Sequence, residues 1–396
     1  MAGRPPLIGF AALPPHLYLH VPFCASKCAY CGFFSVARPD GAIVDAWLSG
    51  VVAQARGWLA CDLPGTLETV YIGGGTPSWE NAPVPLLAGS DPDNSLPLAP
   101  GAEITMEANP ESLDETAMER ARYLLVNRLS IGVQSFDDGE LALLGRPHDA
   151  SQAFRAVEAA VAAGFEVSLD LMCGLPGQSL ESWERTLFAA IATGVRHVSV
   201  YPLTLEEGTR LARDVECGAL PEPDRDAAAD MMLAADDKLG KAGLARYEVA
   251  SYAAPGHESR HNLAYWTGRP YIGIGPGAHG MVDAATARAV GLLGHGRTSD
   301  DRVRYWYASA FPGPSSVMEA EVEVLDAAEA AREDVMLGLR LVAGVPAEQV
   351  DDAGVLDVMV RLERDGLCEL IGGRWRTTKR GWLLGNEVFS AVWAGE

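Results

Sequence analysis

The sequence contains few cysteines, few basic residues and no long uninterrupted hydrophobic run. Its 396 residues include 7 cysteines, an odd number, so a disulfide framework is not expected and the thiols are predicted to be reduced. Lysine and arginine number 31 against 53 aspartate and glutamate residues, a net charge of −22. A chain this acidic is repelled by phosphate groups, which excludes nucleic acid as the main partner and leaves membrane contact at most peripheral.

The absence of a membrane-spanning or export segment predicts a cytoplasmic location. An apolar N-terminal stretch is interrupted by Pro14 and Pro15, and no small-residue cleavage site follows it, unlike in a signal peptide. Hydrophobic residues make up 48% of the chain and charged residues 21%, which excludes disorder and provides a sizeable core.

Six strand-like segments recur through the first half, most of them about 30 residues apart, which is the length of one βα unit. They are Leu17–Val21, Thr69–Ile72, Glu103–Glu107, Arg128–Val133, Glu166–Leu171 and His197–Tyr201. Helical patterns fill most of the gaps, over Ile43–Ala60, Asp114–Val126, Ala153–Ala163 and Leu180–Thr193. This order predicts an α/β fold with a parallel sheet, open or curled into a barrel, of six units rather than eight.

Two parts of the chain depart from the βα repeat. Six prolines between Gly75 and Gly101 exclude a long helix there and predict a loop. After Tyr201, residues 206–240 are predicted to be helical, and residues 247–280 are rich in glycine, histidine and aromatics. The segment Leu325–Val342 is predicted to be a further helix.

The C-terminal tail is predicted to form a small winged-helix-like module with short helices and a hairpin around Gly372–Gly373. Residues 331–396 hold eight basic and eleven acidic residues, so a structural or docking role is favoured over DNA binding. The expected division is a barrel core over residues 1–205, an extension over 206–324 that completes the site, and the module over 325–396.

Three cysteines, Cys24, Cys28 and Cys31, lie within eight residues directly after the first predicted strand. Three thiolates complete neither a four-cysteine iron–sulfur ligand set nor a four-cysteine zinc site, so either a fourth protein ligand exists or one position is open. A Cys₃His zinc site with His20 is one alternative, although His20 lies on the strand and Pro22 intervenes; unligated thiols are another. We favour an open-site [4Fe–4S] cluster, whose free iron the methionyl end of S-adenosylmethionine (SAM) can chelate.

The cysteine motif and several further segments resemble the radical SAM enzymes. Cys-x₃-Cys-x₂-Cys after the first strand is typical of that superfamily, and the run Tyr18–Cys24 is similar to the opening of the oxygen-independent coproporphyrinogen III oxidase group. Further matches follow in the same order, at Gly73–Pro77, Glu107–Pro110, Arg128–Phe136, Gly145–Arg146 and Asp170–Gln178. The resemblance covers essentially the whole chain and implies a partial parallel (β/α)₆ radical SAM barrel with a C-terminal extension.

Two features are similar to the heme chaperone branch of this group. Phe33 stands where the true oxidases carry one further cysteine, and the motif His261-Asn-x-x-Tyr-Trp266 and the run Tyr271–Gly280 are typical of the chaperone branch. The resemblance implies a protein that binds heme and delivers it to a recipient hemoprotein, with an electron donor as a further partner. The alternative is the oxidase itself, which decarboxylates coproporphyrinogen III to protoporphyrinogen IX, so enzymatic activity stays open.

By resemblance, Cys24, Cys28 and Cys31 bind the cluster, and nine residues contact SAM or lie beside the cluster. These are Tyr18, Tyr30, Gly74, Gly75, Thr76, Glu107, Gln134, Arg146 and Asp170. The glycines are expected to permit close approach of the methionyl group, because no Cβ intervenes. Arg146 is expected to grip a carboxylate through two N–H groups, and Asp170 to accept from ribose or amine donors.

Candidate heme contacts lie in the extension. His261 is a candidate axial ligand, with a hydrogen-bonded loop histidine as the alternative, and His279 is the next candidate because it follows a glycine-rich turn. Tyr265 and Trp266 are candidates to stack on a porphyrin face.

Overall fold

A twelve-stranded sheet forms the centre of the chain in the computed structural model, which describes residues 11–79, 96–294, 301–308, 310 and 319–395. Within those residues the strands are β1 (His16–Val21), β2 (Phe23–Cys24), β3 (Val36–Ala37), β4 (Leu67–Gly74), β5 (Leu98–Ala108), β6 (Arg128–Gln134), β7 (Glu166–Cys173), β8 (His197–Pro202), β9 (Ala245–Arg246), β10 (Ser251–Ala253), β11 (Tyr271–Ile274), β12 (His279–Asp283), β13 (Arg302–Tyr307), β14 (Ala320–Leu325), β15 (Val345–Pro346), β16 (Cys368–Ile371) and β17 (Arg374–Thr377). The helices are α1 (Gly41–Leu59), α2 (Glu115–Tyr123), α3 (Asp138–Leu143), α4 (Ala150–Ala162), α5 (Leu180–Ala192), α6 (Arg210–Glu216), α7 (Arg225–Lys241), α8 (Arg260–Trp266), α9 (Ala284–Ala289), α10 (Ala327–Gly338), α11 (Ala347–Asp352), α12 (Leu356–Arg364), α13 (Lys379–Leu383) and α14 (Gly385–Ala394).

The six predicted strands are confirmed as β1 and β4–β8, which pair in parallel and in chain order. Helices α1, α2, α4 and α5 lie in the gaps where helices were predicted. Among the described residues the sheet stays open, running from β14 at one edge to β9 at the other. Part of the predicted proline-rich loop, residues 80–95, lies outside the described residues.

The two faces of the parallel strands differ in polarity. Leu17, Leu19 and Ile72 are fully buried and share one core with Trp47 of α1. The alternate positions on the other face are polar, among them His16, Tyr18, Thr69, Tyr71 and Asp170. Since side chains alternate along a strand, the helix-covered face is the hydrophobic core and the other face is available for polar chemistry.

The extension adds strands to both edges of the parallel core. β11 pairs in parallel with β1, and β12, β13 and β14 continue the sheet antiparallel. These strands, of four to six residues each, were not predicted. The predicted helical stretch 206–240 divides into α6 and α7, since Pro221 and Pro223 stand between them. The predicted helix Leu325–Val342 is shorter, because Leu325 ends β14 and Asp326 caps α10.

The C-terminal segment has a hydrophobic core of its own, centred on residues such as Val350, Met359 and Trp375. Its three-stranded sheet has the order β15-β17-β16, and the predicted hairpin at Gly372–Gly373 is confirmed. Both glycines have positive φ, 59° and 74°, which explains their place in this turn. The winged-helix-like assignment and the domain boundaries stay predictions. None of the described helices is long and apolar enough to cross a membrane.

Candidate functional site

The cysteine loop, residues 22–35 between β1 and β3, lies at the carboxyl end of β1. The backbone N–H of Gly75 donates to Val21 O (2.8 Å) and that of Thr76 donates to Phe23 O (2.7 Å). Farther along, the N–H of Ala29 donates to Leu144 O (2.9 Å). The loop is therefore tethered to the ends of several elements, as expected for a site at the carboxyl edge of a parallel sheet.

Cys24, Cys28 and Cys31 are partly buried free thiols in this loop. Burial raises the pKa of Cys24; a hydrogen bond from Thr76 opposes this, and the neighbouring charges of Cys28 and Cys31 raise it further. Burial likewise raises the pKa of Cys31, with the charge of Cys28 adding to the effect. The three thiols thus lie close enough that their ionised forms would repel one another, a repulsion that a bound cationic centre would offset.

The zinc alternative does not fit this geometry. The His20 ring is engaged at both nitrogens, by the Tyr18 hydroxyl at Nδ1 (3.0 Å) and by the Phe34 carbonyl at Nε2 (2.9 Å). Among the described residues, no group of three histidine, cysteine or acidic side chains is placed to hold a single metal ion. A cluster uses a separate iron for each thiolate, so its cysteines need not converge on one point.

Arg146 connects the cysteine loop to two strand ends. Its Nη1 donates to Cys28 Sγ (3.3 Å), and its Nη2 donates to Asn109 Oδ1 (2.7 Å) and Gly132 O (2.6 Å). The expected two-pronged grip on a carboxylate is therefore not its arrangement here, because both terminal nitrogens already donate to the protein. Its Nε is buried without a partner, which suits an additional anionic group beside the thiols.

Glu107, a residue of the predicted SAM set, accepts two hydrogen bonds from β4. The Tyr71 hydroxyl donates to Oε1 (3.0 Å), and the Gly74 N–H donates to Oε2 (2.8 Å). Burial raises the pKa of Glu107, and these two hydrogen bonds oppose the rise. Its carboxylate thus fixes the glycine turn after β4.

The glycines of this turn are required by the chain itself. A Cβ on Gly75 would lie 2.6 Å from Phe23 O and 2.8 Å from Val21 O, and a Cβ on Gly74, where φ is 111°, would run into the His20 ring. The chain itself thus needs both glycines, and their expected approach to the methionyl group stays a prediction. They let the turn approach the strand that carries the cysteines.

Asp170 and Gln134 line the same polar face. Ser130 donates to Asp170 Oδ2 (2.9 Å). Burial raises the pKa of Asp170 to about 7; the Ser130 hydrogen bond opposes this and the charge of Glu107 adds to it. Gln134 is buried in a left-handed conformation (φ 68°). This strained backbone turns its side chain toward Gly132.

Burial raises the pKa of Tyr30, and the Arg146 guanidinium opposes this rise while the charges of Cys28 and Cys31 add to it. Tyr30 therefore lies near Cys28 and Cys31, and its place beside a cluster stays a prediction. Two residues of the site were missed. Asn109 donates to Thr76 Oγ1 (3.1 Å) while accepting from Arg146, and the Tyr71 ring stacks on Tyr18 at 6.1 Å between centroids. The sequence could have indicated both residues. Asn109 lies within the matched segment Glu107–Pro110, and Tyr71 is two residues before Gly73 on β4, so it lies on the same face of the strand.

His261 is a buried structural residue of α8 in this fold. Its Nδ1 is hydrogen-bonded to Thr69 Oγ1 (2.7 Å), and its Nε2 to the Tyr265 hydroxyl (2.9 Å). Its backbone N–H donates to Glu103 Oε1 (3.0 Å), and its ring stacks on Tyr71 at 5.2 Å. Both ring nitrogens are thus occupied, so the hydrogen-bonded alternative describes His261 better than axial ligation, although it lies on a helix and not in a loop.

Tyr265 and Trp266 do not form one stacking surface. Tyr265 packs edge-on against Tyr271 at 4.6 Å, on the side of the candidate site. Trp266 lies under the Arg340 guanidinium of the C-terminal segment at 5.1 Å. Neighbouring positions on a helix point in different directions, so the two rings serve different contacts.

Comparison with known proteins places this geometry in a family. The Radical SAM superfamily model matches residues 18–190, and the HemN C-terminal domain model matches residues 325–384. Heme chaperone HemW of Mycobacterium tuberculosis (strain ATCC 25618 / H37Rv) is 38% identical over 96% of both chains. HemW of Escherichia coli (strain K12) is 34% identical over 95% of this chain and 97% of the relative.

The fold has a solved counterpart. Coproporphyrinogen III oxidase (HemN) from Escherichia coli, a radical SAM enzyme, superimposes with a TM-score of 0.75 at 19% identity, covering 98% of this chain and 91% of that one. This likeness establishes the barrel-like fold and its C-terminal extension. With full-length relatives above 30% identity, the chain belongs to the HemW family of the radical SAM superfamily.

Proposed function

We propose that this protein is a heme chaperone that carries a [4Fe–4S] cluster and SAM, binds heme and delivers it to a recipient hemoprotein. The observation that carries the proposal is the cysteine loop. It offers three thiols beside Arg146, and Phe33, 69% exposed, stands where the oxidases carry a further cysteine. The full-length relatives bear the name heme chaperone, which supports the same function here.

The donor set of the loop fits the cluster. Cys24, Cys28 and Cys31 would hold it, and Arg146, with a buried unpartnered Nε, would balance negative charge beside Cys28. When bound, cluster and SAM would supply one-electron chemistry, which this class of cofactor carries by itself. The chain's own part is to orient and shield them. Tyr18 and His20 fix the loop backbone through Phe34 O.

The polar face beneath the loop suits the rest of SAM. Glu107 and Asp170 offer carboxylate oxygens to amine or hydroxyl donors, and Gln134 offers an amide. Thr76, held by Asn109, closes the turn beside Cys24. These groups come from the ends of four neighbouring strands, so one bound molecule would contact all of them.

The second candidate is oxygen-independent coproporphyrinogen III oxidase. The match of the whole fold to HemN favours it. The missing fourth cysteine at Phe33 argues against it, as does the chaperone-type motif that begins at His261. An electron donor is proposed as a partner under either function, because a cluster of this kind must be reduced to act.

One experiment separates the two functions. The protein is reconstituted without oxygen and assayed in parallel for heme binding by absorbance and for conversion of coproporphyrinogen III with SAM and a reductant. We expect heme binding, transfer to an apo-hemoprotein and no protoporphyrinogen IX. Robust decarboxylation without heme binding would replace the chaperone function with the oxidase.

A further inference from the structure

The ring of His279 differs from the other described histidines. Six histidines have a ring nitrogen held by a neighbouring side chain or carbonyl: His16, His20, His148, His197, His257 and His261. His279, by contrast, is exposed, and within the described part of the chain neither of its ring nitrogens has a hydrogen-bond partner. An imidazole with a free nitrogen at the surface can bind a metal without breaking an existing bond.

The orientation of this imidazole is fixed by Trp306. The two residues face each other across β12 and β13, and their rings stack with centroids 6.0 Å apart and planes 23° from parallel.

His279 lies on the same sheet face as the candidate SAM site. Tyr271 of β11 pairs with His16 of β1 on one side and with Met281 of β12 on the other, so these three side chains share one face of the sheet. Alternate residues of a strand lie on the same face, so His279 shares this face with Met281, and Tyr18 shares it with His16. Gly273 of β11, which pairs with Tyr18, lies directly against the backbone of His279: a Cβ on Gly273 would run into the His279 carbonyl group. His279 is therefore close to the β11 residue that pairs with Tyr18.

We propose that His279 is an axial ligand of the heme iron and that Trp306 is a positioning residue that holds its imidazole. The inference rests on the proposed heme-binding function and names the site at which the cargo is held. Imidazole is the commonest protein donor to heme iron, and His261, the motif histidine, has no free nitrogen. The porphyrin would lie across the face between His279 and Tyr18, next to the cysteine loop.

Titration of the cluster-loaded protein with ferric heme tests this assignment. We expect His279→Ala to shift the Soret band and to weaken heme binding by at least about 10- to 100-fold, which is what loss of a ligand's supporting residue costs. Imidazole added to the solution should restore the Soret band of that variant. The matched control is His257→Ala, whose ring is bound to Glu166, and it should change neither property.

The positioning role of Trp306 has a separate signature. Trp306→Ala should broaden or shift the Soret band with a smaller loss of affinity, and Trp306→Phe, which keeps a ring for stacking, should restore it. Circular dichroism and iron content identify any variant that fails to fold, and His279→Gln then replaces His279→Ala.

The outcomes distinguish the ligand from the function. Heme binding with an unchanged Soret band in both His279 variants would overturn the assignment of the ligand and leave the chaperone function intact. Absence of heme binding by the unaltered protein would overturn the proposed function and this inference with it.

Discussion

Individual side chains around the cysteine loop determine what can bind there. Arg146 donates to Cys28, Asn109 and Gly132 at once, so a single guanidinium joins the loop to two strands. Removal of this guanidinium would leave its buried acceptors without that hydrogen bond, which costs about 1–3 kcal/mol for each buried group left without a partner. The local chemistry is thus determined by contacts that no single motif reveals.

Substitution of the loop cysteines should abolish iron binding. Anaerobic reconstitution should load about four irons per chain, and alanine at Cys24, Cys28 or Cys31 should remove the cluster's visible absorbance. Cys217→Ala is the control, because this exposed thiol lies outside the loop. Full iron content in any one of the three loop variants would contradict the ligand assignment.

Asp170 should make stability depend on pH. Burial raises its pKa to about 7 in the folded chain, whereas an unfolded aspartate ionises near 4, so its favourable contribution is present below about pH 4 and is lost as the pH rises through 7. Asp170→Asn cannot ionise. Its free energy of unfolding, measured in urea, should exceed that of the unaltered protein by a few kcal/mol at pH 8 but by little at pH 4, since each pKa unit corresponds to about 1.4 kcal/mol.

The control for this measurement is Asp237→Asn, on the exposed face of α7 beside Lys241. A hydrogen bond from Lys241 lowers the pKa of Asp237, so its small effect should have the opposite sign. A stability difference for Asp170→Asn that is constant between pH 4 and pH 8 would show that the carboxyl does not titrate in this range.

At the scale of elements, the parallel strands could be predicted and the extension could not. The buried strands of the core are apolar segments spaced by one βα unit, and this pattern predicts them from the sequence. All six predicted segments fall within β1 and β4–β8. β11–β14 hold only four to six residues each, and their pairing depends on contacts far along the chain. His261 shows the same limit for the site, because its partners Thr69 and Glu103 are distant in sequence.

The turn after β4 should not tolerate a side chain at Gly75. A Cβ there meets the backbone of Phe23 at 2.6 Å, so Gly75→Ala should lower the free energy of unfolding by about 1–3 kcal/mol. Iron content should fall as well, because the displaced strand carries Cys24. Gly57→Ala on the exposed side of α1 is the matched control; it has open space and should be neutral or gain about 1 kcal/mol. Unchanged stability and iron content in Gly75→Ala would show that the turn can shift.

At the scale of the whole molecule, buried ion pairs join the sheet extension to the C-terminal segment. Arg302 of β13 contacts Glu333 and Asp334 of α10 (2.6 Å to Asp334), and Arg304 contacts Glu333 at 2.9 Å. Arg302 and Glu333 are buried, whereas Arg304 is partly exposed, so the loss of Arg302 would leave buried negative charge poorly compensated. The packing of α10 on the sheet therefore depends on a small electrostatic network.

Arg302→Met should destabilise the protein by about 3–5 kcal/mol, because Glu333 and Asp334 lose the buried guanidinium between them and Glu333 keeps only the partly exposed Arg304. The melting temperature and the rate of proteolysis within α10 would report the change. Arg185→Met is the control, since its pair with Glu181 is exposed and worth about 0.5 kcal/mol or less. Equal melting temperatures for the two variants would refute the role assigned to the network.

The pairing of β1 with both β4 and β11 has a consequence for how the protein is made. The cysteine loop leaves the ribosome early, yet β11, which flanks β1, begins only at Tyr271. At 5–20 residues per second, the roughly 250 intervening residues take about 10–50 s to synthesise. During that interval the nascent thiols lack β11 beside β1, so we expect iron loading to follow the synthesis of β11 and the unloaded thiols to be open to oxidants until then.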